Sequence, residues 1–381
     1  MKHGRSRIGT ALALVVVLGV SLGVVACGSS SNSSSNASNS SSSSGGSGSS
    51  TSGGGNSPQA PSGTIKMAAA LIGPKNDGSF GQSTYEGAQA ALKQFSNLKL
   101  TSVLENETTD TQRTDGIDTL SPLNNVVLAV SSSYGPILDN EAAKFPNTYF
   151  INIAGAPDKF APNVTGFNND WGAPAYVGGV IAAHMTKTKV VGYVGGAQIP
   201  PTTQAAAAFA AGAKSVDPSI KVLSTITGDF NNVSEAKAAT TSQIDANADV
   251  IFPFLDAGIA GAYQAGTQSG KNPAMFKLTI PDCGAYPNMV GTEVVNDKAA
   301  AQALISAYVN HKIKPGAIML DLQNPKMQTL ALCPKYQSNP MVAKVTKQTI
   351  AAINSGKIKL PASAINPRPT YPYINGIPGA S

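Results

Sequence analysis

The chain has 381 residues and a formal net charge of +6 at pH 7, yet charged residues make up only 13% of it. Its length suffices for about two domains of ordinary size. No block of Lys and Arg occurs after the first seven residues, which excludes the basic patch typical of nucleic-acid-binding proteins. The three histidines and three cysteines show no metal-ligand spacing, so we expect no metal site and no cofactor.

Residues 1–26 have the pattern of a lipoprotein signal peptide. The basic start "MKHGRSR" precedes the apolar run "IGTALALVVVLGVSLGVVA", as in secretory signals. The run ends in "VVAC", which resembles a bacterial lipobox, so we expect cleavage before Cys27 and diacylglycerol on its thiol. An uncleaved anchor is the alternative, because the run approaches the length of a membrane span. Both interpretations place the remaining chain on the extracytoplasmic face of the cell membrane.

Residues 27–63 follow as a segment made almost entirely of Ser, Gly and Asn. Such a composition buries too little apolar surface to offset the conformational entropy of folding. We therefore predict a disordered tether that holds a globular body near the membrane, beginning at the lipidated Cys27.

From residue 64 onward, short apolar runs alternate with helical patterns. The predicted strands are Ile65–Ile72, Leu100–Leu104, Val126–Val130, Thr148–Ile153, Val190–Val194, Val222–Ile226, Val250–Phe254 and Phe276–Ile280. Strands that alternate with helices in this way predict βαβ units and parallel sheets. Because two such series flank "FNNDWGAP" at Phe167–Pro174, we predict an α/β fold of two doubly wound lobes with a crossover there.

The C-terminal region predicts one more helix in "QTIAAINSGKIKL", with Gly356 as its C-cap and a strand after it. The tail "PASAINPRPTYPYINGIPGAS" is rich in Pro, which favours an extended strap.

Ligands of open parallel sheets bind outside the carboxyl ends of the strands. The loops expected there are Gly73–Gly81, Ser131–Gly135, Gly195–Pro201, Leu255–Gly258 and Pro281–Gly284. The aromatic and acidic residues in and near them are Phe80, Tyr134, Trp171, Phe230, Phe252, Phe254, Asp77, Asp170, Asp256 and Asp282. Such a set could hold a flat ring between aromatic side chains and bind hydroxyl groups through carboxylates.

Several of these residues also have structural interpretations. Phe252 and Phe254 lie in a predicted strand and could belong to the core. Asp77 and Asp170 precede predicted helices and could cap them. Trp171 could simply pack at the crossover. The sequence leaves these alternatives open.

No enzyme signature emerges from the sequence. The nucleophile elbow, the phosphate-binding loop and the zinc-protease motif are absent, and the acidic residues are too scattered to suggest a carboxylate pair. We therefore expect a protein without catalytic residues.

Cys283 and Cys333 remain once Cys27 is assigned to lipid. Two thiols in an oxidising compartment can pair, but sequence alone does not show whether their Cα atoms are close enough. A disulfide and two free thiols are both compatible with the sequence.

Four segments carry a resemblance to a known family. "NDGSFGQSTYEGAQAAL", "YVGGVIAAHMTKTKVVGYVGG", "AGAKSVDPSIKVL" and "ANADVIFPFLDAGIAGAYQAG" resemble the basic membrane lipoprotein family of ABC-transporter substrate-binding proteins. The best-known members bind purine nucleosides. The similarity runs from about Ile65 to Pro361.

The resemblance implies a type I periplasmic-binding-protein fold, in which two Rossmann-like lobes are joined by three crossovers and close on the ligand by a hinge. We expect the N-terminal lobe in residues 64–168 plus about 284–345. The C-terminal lobe is then expected in residues 169–283 plus about 346–381.

By position, Phe80 matches the family phenylalanine that stacks on the base, and Asp77 matches the acidic residue before it. Asp282 matches an aspartate that holds ribose hydroxyls, and Phe252 matches a possible second stacking ring. Asn296 falls about where the family has a ribose-contacting lysine.

The sequence also differs from the family in two segments that bear on recognition of the base of the ligand. The family's base-binding aspartate after the first strand is absent from Leu71-Ile72-Gly73, and Asp256 begins the segment that replaces a Gly-rich loop. Asp256 could supply the missing carboxylate from the opposite lobe.

These patterns predict a monomeric solute receptor that captures a nucleoside or related heterocycle and delivers it to ABC permease and ATPase subunits. The predicted ligand-binding residues are Asp77, Phe80, Tyr134, Trp171, Phe252, Asp256, Asp282 and Asn296. A sugar or modified base is an alternative ligand, and a ligand-sensing receptor for a signalling partner is an alternative role.

Overall fold

The structure is a computed structural model that describes residues 57–159 and 161–365. The predicted signal peptide, Cys27, most of the predicted tether and the tail from residue 366 lie outside the described residues. The strands are β1 Ile65–Leu71, β2 Leu98–Leu104, β3 Val126–Val130, β4 Tyr149–Ile153, β5 Val164–Asn169, β6 Val190–Gly195, β7 Lys221–Ile226, β8 Val250–Phe254, β9 Ala274–Thr279, β10 Met289–Val295, β11 Gly316–Leu320 and β12 Gln328–Leu332. The helices are α1 Phe80–Gln94, α2 Asp110–Leu120, α3 Gly135–Glu141, α4 Gly172–Met185, α5 Pro200–Val216, α6 Val233–Asp245, α7 Ile259–Gln268, α8 Asp297–Val309, α9 Pro334–Gln337 and α10 Pro340–Asn354.

The strands form two six-stranded sheets. The first has the order β11-β5-β4-β3-β1-β2, and its neighbouring strands are all parallel. The second has the order β12-β10-β9-β8-β6-β7, with β12 antiparallel to β10 and the other pairs parallel. The predicted α/β fold with two doubly wound sheets is confirmed.

The central strands are buried on both faces because helices cover both sides of a parallel sheet. All five residues of β3, "VVLAV", are buried, and so are all five residues of β8, "VIFPF". This explains why these strands appear in the sequence as continuous apolar runs rather than as an alternation of polar and apolar residues.

Helix α4 is rich in Gly and Ala because it packs very closely against α5. A Cβ added to Gly179 would lie 2.1 Å from the carbonyl oxygen of Phe209, and one added to Gly212 would lie 2.1 Å from that of Tyr176. The two helix backbones therefore touch at positions that only glycine permits. This contact fixes the start of α4, where Trp171 stands, relative to the second sheet.

The chain passes between the sheets three times, after β5, after β10 and between β11 and β12. We call the first sheet with its helices the first lobe, and the second sheet with its helices the second lobe. Helix α8 belongs to the first lobe, because the backbone N–H of Lys298 donates to Ser83 Oγ on α1 at 3.1 Å.

The predicted lobe boundaries need correction at the later crossovers. The sequence placed residues from about 284 to 345 in the N-terminal lobe, whereas β10 and β12 pair within the second sheet. Strand β10 carries Thr292 and Glu293 at its centre, so it lacks the apolar run by which the other strands were recognised. Strands β5, β11 and β12 were missed as well.

The strand expected after Gly356 does not form. Gly356 ends α10 with φ of +72°, a left-handed conformation that glycine adopts without strain. The N–H of Ile358 then donates back to the carbonyl of Ala352 at 3.0 Å. This backbone group is therefore used to cap the helix rather than to extend a sheet.

Candidate functional site

The candidate site is a cavity between the carboxyl ends of the two sheets. Its empty volume is about 400 Å³, including the part open to solvent. The lining residues are Ile72, Phe80, Ser131, Ser132, Ala154, Trp171, Ile199, Pro201, Phe230, Phe254, Asp256, Leu278 and Thr279. They lie at or after the carboxyl ends of β1, β3 and β4 in the first lobe and of β6, β7, β8 and β9 in the second, and Trp171 follows β5 at the crossover, as expected for doubly wound sheets.

Four aromatic side chains form much of the wall of this cavity: Phe80, Trp171, Phe230 and Phe254. Trp171 meets Phe254 edge-to-face, with 5.3 Å between ring centroids, and Phe230 lies 6.4 Å from Phe254. Phe80 approaches from the first lobe at the start of α1. Rings from both lobes thus face one space, where a flat ligand ring can stack.

Three non-glycine residues that line the cavity have positive φ angles. They are Ser131 at 142°, Ala154 at 53° and Thr279 at 65°. Such conformations are unfavourable, most of all for a β-branched residue such as Thr279. The backbone at the end of β3, β4 and β9 is therefore held in strained turns that direct the chain around the cavity.

A buried carboxyl, Asp256, stands at the inner wall of the cavity on the loop after β8. Burial raises its pKa to about 7, and the carboxylate of Asp77 from the first lobe adds to the rise. Ser79 and the backbone N–H of Phe80 lie close enough to oppose that rise in part. Asp256 is consequently a group whose protonation changes near neutral pH.

Lys277 is a buried cation of β9 that connects the two lobes. Its Nζ donates to the carbonyl oxygen of Gly78, in the loop after β1, at 3.0 Å. Burial lowers its pKa, while the carboxylates of Asp282, Asp256 and Asp77 oppose this effect. The hydrogen bond therefore links a side chain of the second lobe to the backbone of the first lobe beside the cavity.

Asp77 caps helix α1. Its Oδ1 accepts hydrogen bonds from the N–H groups of Ser79 at 2.8 Å and Gln82 at 3.0 Å, and its Oδ2 accepts one from Gly81 at 2.8 Å. These bonds satisfy backbone donors that a helix start leaves unpaired. Asp170 similarly accepts from Gly172 and Ala173 at the start of α4. The capping interpretation of both residues is confirmed.

Two further buried carboxyls lie where the chain crosses between lobes. Asp297, in the first turn of α8, and Glu293, on β10, are both fully buried. Burial raises the pKa of each well above its ordinary value, with Asp256 adding to the effect at Asp297 and Asp170 at Glu293. Burial therefore favours the uncharged form of both groups.

Three predicted ligand-binding residues line the cavity: Phe80, Trp171 and Asp256. Asp77 lies directly behind them as a cap. These four side chains come from the first lobe, the crossover and the second lobe, and the fold brings them together.

The other four predicted residues lie elsewhere. Tyr134 and Phe252 are fully buried in the hydrophobic core. Asp282 is exposed, and its carboxylate accepts a hydrogen bond from the N–H of Gly284. Asn296 caps α8 by accepting from the N–H of Ala299.

The ring that reaches the cavity from β8 is Phe254 and not Phe252. The two side chains point to the same face of the sheet because they are two residues apart. Phe252 packs inside the lobe against Phe209 and Phe276, with centroids at 5.5 and 5.0 Å, whereas Phe254 stands at the end of the strand. Position along the strand, not residue type, makes the difference.

Sequence reasoning also missed Lys277, Thr279 and Asp297. A lysine inside the buried strand "AMFKLT" was the available signal, since an unpaired buried charge is costly and implies a partner. Asp297 gave no such signal, because an acidic residue in the first turn of a helix is ordinary.

In the structure Cys283 and Cys333 form a disulfide with their Cα atoms 5.6 Å apart. The bond joins the loop after β9 to the segment after β12 and lies within the second lobe. Among residues 57–159 and 161–365, no three His, Cys, Asp or Glu side chains are grouped to hold a metal ion.

The chain matches a protein family described as ABC transporter substrate-binding protein PnrA-like over residues 65–359. It is 30% identical over 226 residues to a purine-binding protein of Brucella abortus, a match that covers 57% of this chain and 63% of that protein. The match thus spans just under two thirds of the relative. A nucleoside-binding protein of an ABC transporter in Lactococcus lactis is 30% identical over 200 residues, covering 50% and 56% of the two chains.

Solved structures show the same fold. A solute-binding protein of an ABC transporter system from Aeropyrum pernix superposes with a TM-score of 0.68 at 16% identity, covering 78% of this chain and 94% of the other.

Proposed function

The chain belongs to the PnrA-like family of ABC transporter substrate-binding proteins, and we propose that it captures a nucleoside or a related heterocycle outside the cytoplasm for import. In this proposal the ligand enters the cavity between the lobes, the lobes close on it, and the closed form docks on a permease. The family is one of solute-binding proteins, so binding and release, not catalysis, are the activity that needs explanation.

The observation that carries the proposal is the aromatic cavity. Phe80 and Phe254 enter it from opposite lobes, and Trp171 enters from the crossover. A planar ring between them gains stacking contacts from both lobes only when the lobes are closed. The ligand therefore has a differential affinity for the closed state, which is what shifts a two-state protein toward closure.

The contact between Lys277 and Gly78 supports the same mechanism. It crosses from one lobe to the other beside the cavity, so opening the lobes breaks it and returns the ammonium group to water. This contact favours the closed form once the ligand has displaced water from the cavity, because hydrogen bonds to charged groups strengthen when desolvated.

The names of two relatives favour a nucleoside ligand, since one is a purine-binding and the other a nucleoside-binding protein. The polar contacts of this chain differ from the family pattern, because Asp282 is exposed and Asn296 caps a helix. The proposal therefore rests on the rings and on Asp256, and leaves ribose recognition to other groups of the cavity.

We also propose that a lipid on Cys27 anchors the protein to the outer face of the cell membrane. The "VVAC" segment and the Ser/Gly-rich residues after it support this arrangement. Within the described part of the chain, no helix has both the length and the apolar character to cross a bilayer. A receptor held in this way stays near its permease and ATPase partners while its lobes move freely.

Native mass spectrometry of the full chain, purified in detergent, tests the ligand proposal. We expect an adduct with inosine, guanosine, adenosine or uridine, and loss of that adduct in the Phe80→Ala variant. Tyr85→Ala is the matched control, because Tyr85 is half-buried on the same helix and does not line the cavity. A retained sugar without any nucleoside adduct would overturn the nucleoside proposal and leave the solute-binding family assignment intact.

A further inference from the structure

Two residues that line the cavity each carry a polar atom that is buried without a hydrogen-bond partner among the described residues. These atoms are the indole Nε1 of Trp171 and the hydroxyl Oγ1 of Thr279. Both residues line the cavity and both are at least 95% buried, with exposures of 5% and 1%. Burial of such a group is unfavourable unless something accepts its hydrogen bond.

Ser131, Ser132 and Asp256 also contribute polar side chains to the lining of this space, and Asp256 is the ionisable one among them. The titratable groups nearest to it are Asp77 from the loop before α1, Asp297 from α8 and Lys277 from β9. Burial raises the pKa of the Asp77, Asp256 and Asp297 carboxyls and lowers the pKa of the Lys277 ammonium group. Burial thus opposes charge on each of these groups, so a charged ligand group in the cavity is unfavourable as well.

These groups differ in what they can offer a ligand. An indole N–H only donates, a hydroxyl can donate or accept, and a protonated carboxyl donates through its O–H and accepts through its carbonyl oxygen. The N–H of Trp171 is therefore the group that most needs an acceptor, and none of the described residues supplies one.

We infer that the cavity selects an uncharged ring whose edge presents hydrogen-bond acceptors, and that Trp171, Thr279 and Asp256 donate to that edge. This inference rests on the proposed function, because it takes the cavity as the solute site. The chemical class is a heterocycle with carbonyl oxygens and unprotonated ring nitrogens, such as an oxopurine or a pyrimidinone. An exocyclic amino group in the same place meets donors and leaves them unpaired, which is how such sites reject close analogues.

The inference also makes binding depend on pH. Asp77 and Ser79 face Asp256 from the other lobe, so opening the lobes exposes Asp256 and returns its pKa toward the ordinary value of 3.8 from about 7 in the closed cavity. Closure then takes up a proton at any pH between these two values. Affinity rises by up to about tenfold for each pH unit as pH falls from 7 toward 4, and it is constant above about 7.5, where both states are ionised.

Isothermal titration calorimetry of the full chain with inosine and with adenosine, from pH 5.5 to 8.5, tests both parts. Inosine carries a carbonyl oxygen at the position on the base edge where adenosine carries an amino group. We expect inosine to bind at least about tenfold more tightly. Repeating the titration at pH 6 in buffers of different ionisation enthalpy should show the uptake of about one proton per ligand.

Substitutions at Asp256 test separately whether the ligand needs a hydrogen-bond donor at this position and whether the ionisation of Asp256 causes the pH dependence. Asp256→Asn keeps a donor and no longer titrates, so inosine affinity becomes independent of pH, whereas Asp256→Ala binds weakly at every pH. Trp171→Phe keeps a ring and removes the N–H, and it reduces the preference for inosine. Asp245→Asn is the control, because Asp245 is an exposed carboxylate on α6 outside the cavity.

The outcomes distinguish this inference from the proposed function. Equal binding of inosine and adenosine, with no pH dependence and no change in Asp256→Asn, would overturn the donor-lined cavity and leave nucleoside binding standing. Failure of both probes, and of guanosine and uridine, to bind at any pH would overturn the proposed function itself.

Discussion

The two lobes share one topology but contribute to the cavity in different ways. The first lobe supplies small side chains on strained backbone, Ser131 and Ala154, together with a single ring, Phe80. The second lobe supplies two rings, Phe230 and Phe254, and the buried carboxyl of Asp256, with the buried Lys277 beside the cavity.

This difference indicates that the two lobes make different kinds of contact with the ligand. Most of the specific chemistry is on the second lobe, so we expect a ligand to make most of its directional contacts there. The first lobe then covers it with Phe80 and accepts the hydrogen bond of Lys277 through the carbonyl of Gly78. Closure would thus add stacking, exclude water and bury Asp256, whose raised pKa then favours the donating form of its carboxyl.

The largest effect that would test this asymmetry is expected at β8. Phe254→Ala and Phe252→Ala each remove a buried ring, so each should lower the free energy of unfolding by about 3–5 kcal/mol in urea denaturation. Only Phe254 lines the cavity, so ligand affinity of the folded protein should fall in Phe254→Ala and be retained in Phe252→Ala. Equal loss of affinity in both would show that the second lobe recognises its ligand through its overall packing rather than through the ring at the strand end.

A smaller effect is expected from the disulfide, which strengthens only the second lobe. Replacing both Cys283 and Cys333 by Ser should lower the free energy of unfolding by about 2–4 kcal/mol. Hydrogen exchange should become faster in β9, β10 and β12 and stay unchanged in β1 and β3 of the first lobe. An equal increase in the hydrogen-exchange rate across both lobes would mean that they unfold as one cooperative unit. The disulfide would then not give the second lobe a stability of its own.

The smallest effect is expected in the strained turn of the first lobe. Ala154 has a φ of 53°, a conformation that costs an L-residue about 1–2 kcal/mol. Ala154→Gly relieves this strain but also loosens the unfolded chain, so we expect a net gain of about 0.5 kcal/mol in thermal unfolding. Ala129→Gly, in the buried strand β3, is the control and should destabilise. If Ala154→Gly destabilises the protein, the packing of the Ala154 methyl group stabilises it by more than the strain of the positive φ angle costs.

The structure also shows which part of the site was accessible to prediction. Phe80 lay in a loop after a clear strand, Trp171 at a marked crossover and Asp256 just after another clear strand. Their place follows from one rule, that loops at the carboxyl ends of parallel strands meet at the ligand. The rule failed for Tyr134, which follows β3 as expected but turns into the core beneath α2 and α3. A loop's position does not fix the direction of each of its side chains.

The sequence by itself determined the alternation of strands and helices, because buried parallel strands need continuous apolar runs and the helices between them need a periodic apolar face. It also offered helix capping as one interpretation of Asp77 and Asp170, since capping depends on residues that are close along the chain, and the structure confirmed that interpretation. Only the tertiary structure decided that Phe254 and not Phe252 reaches the cavity, that Cys283 meets Cys333, and that Asp256 titrates near neutral pH. Each of these depends on how deeply a group is buried and on neighbours from distant parts of the chain, and neither is encoded within a short stretch of sequence.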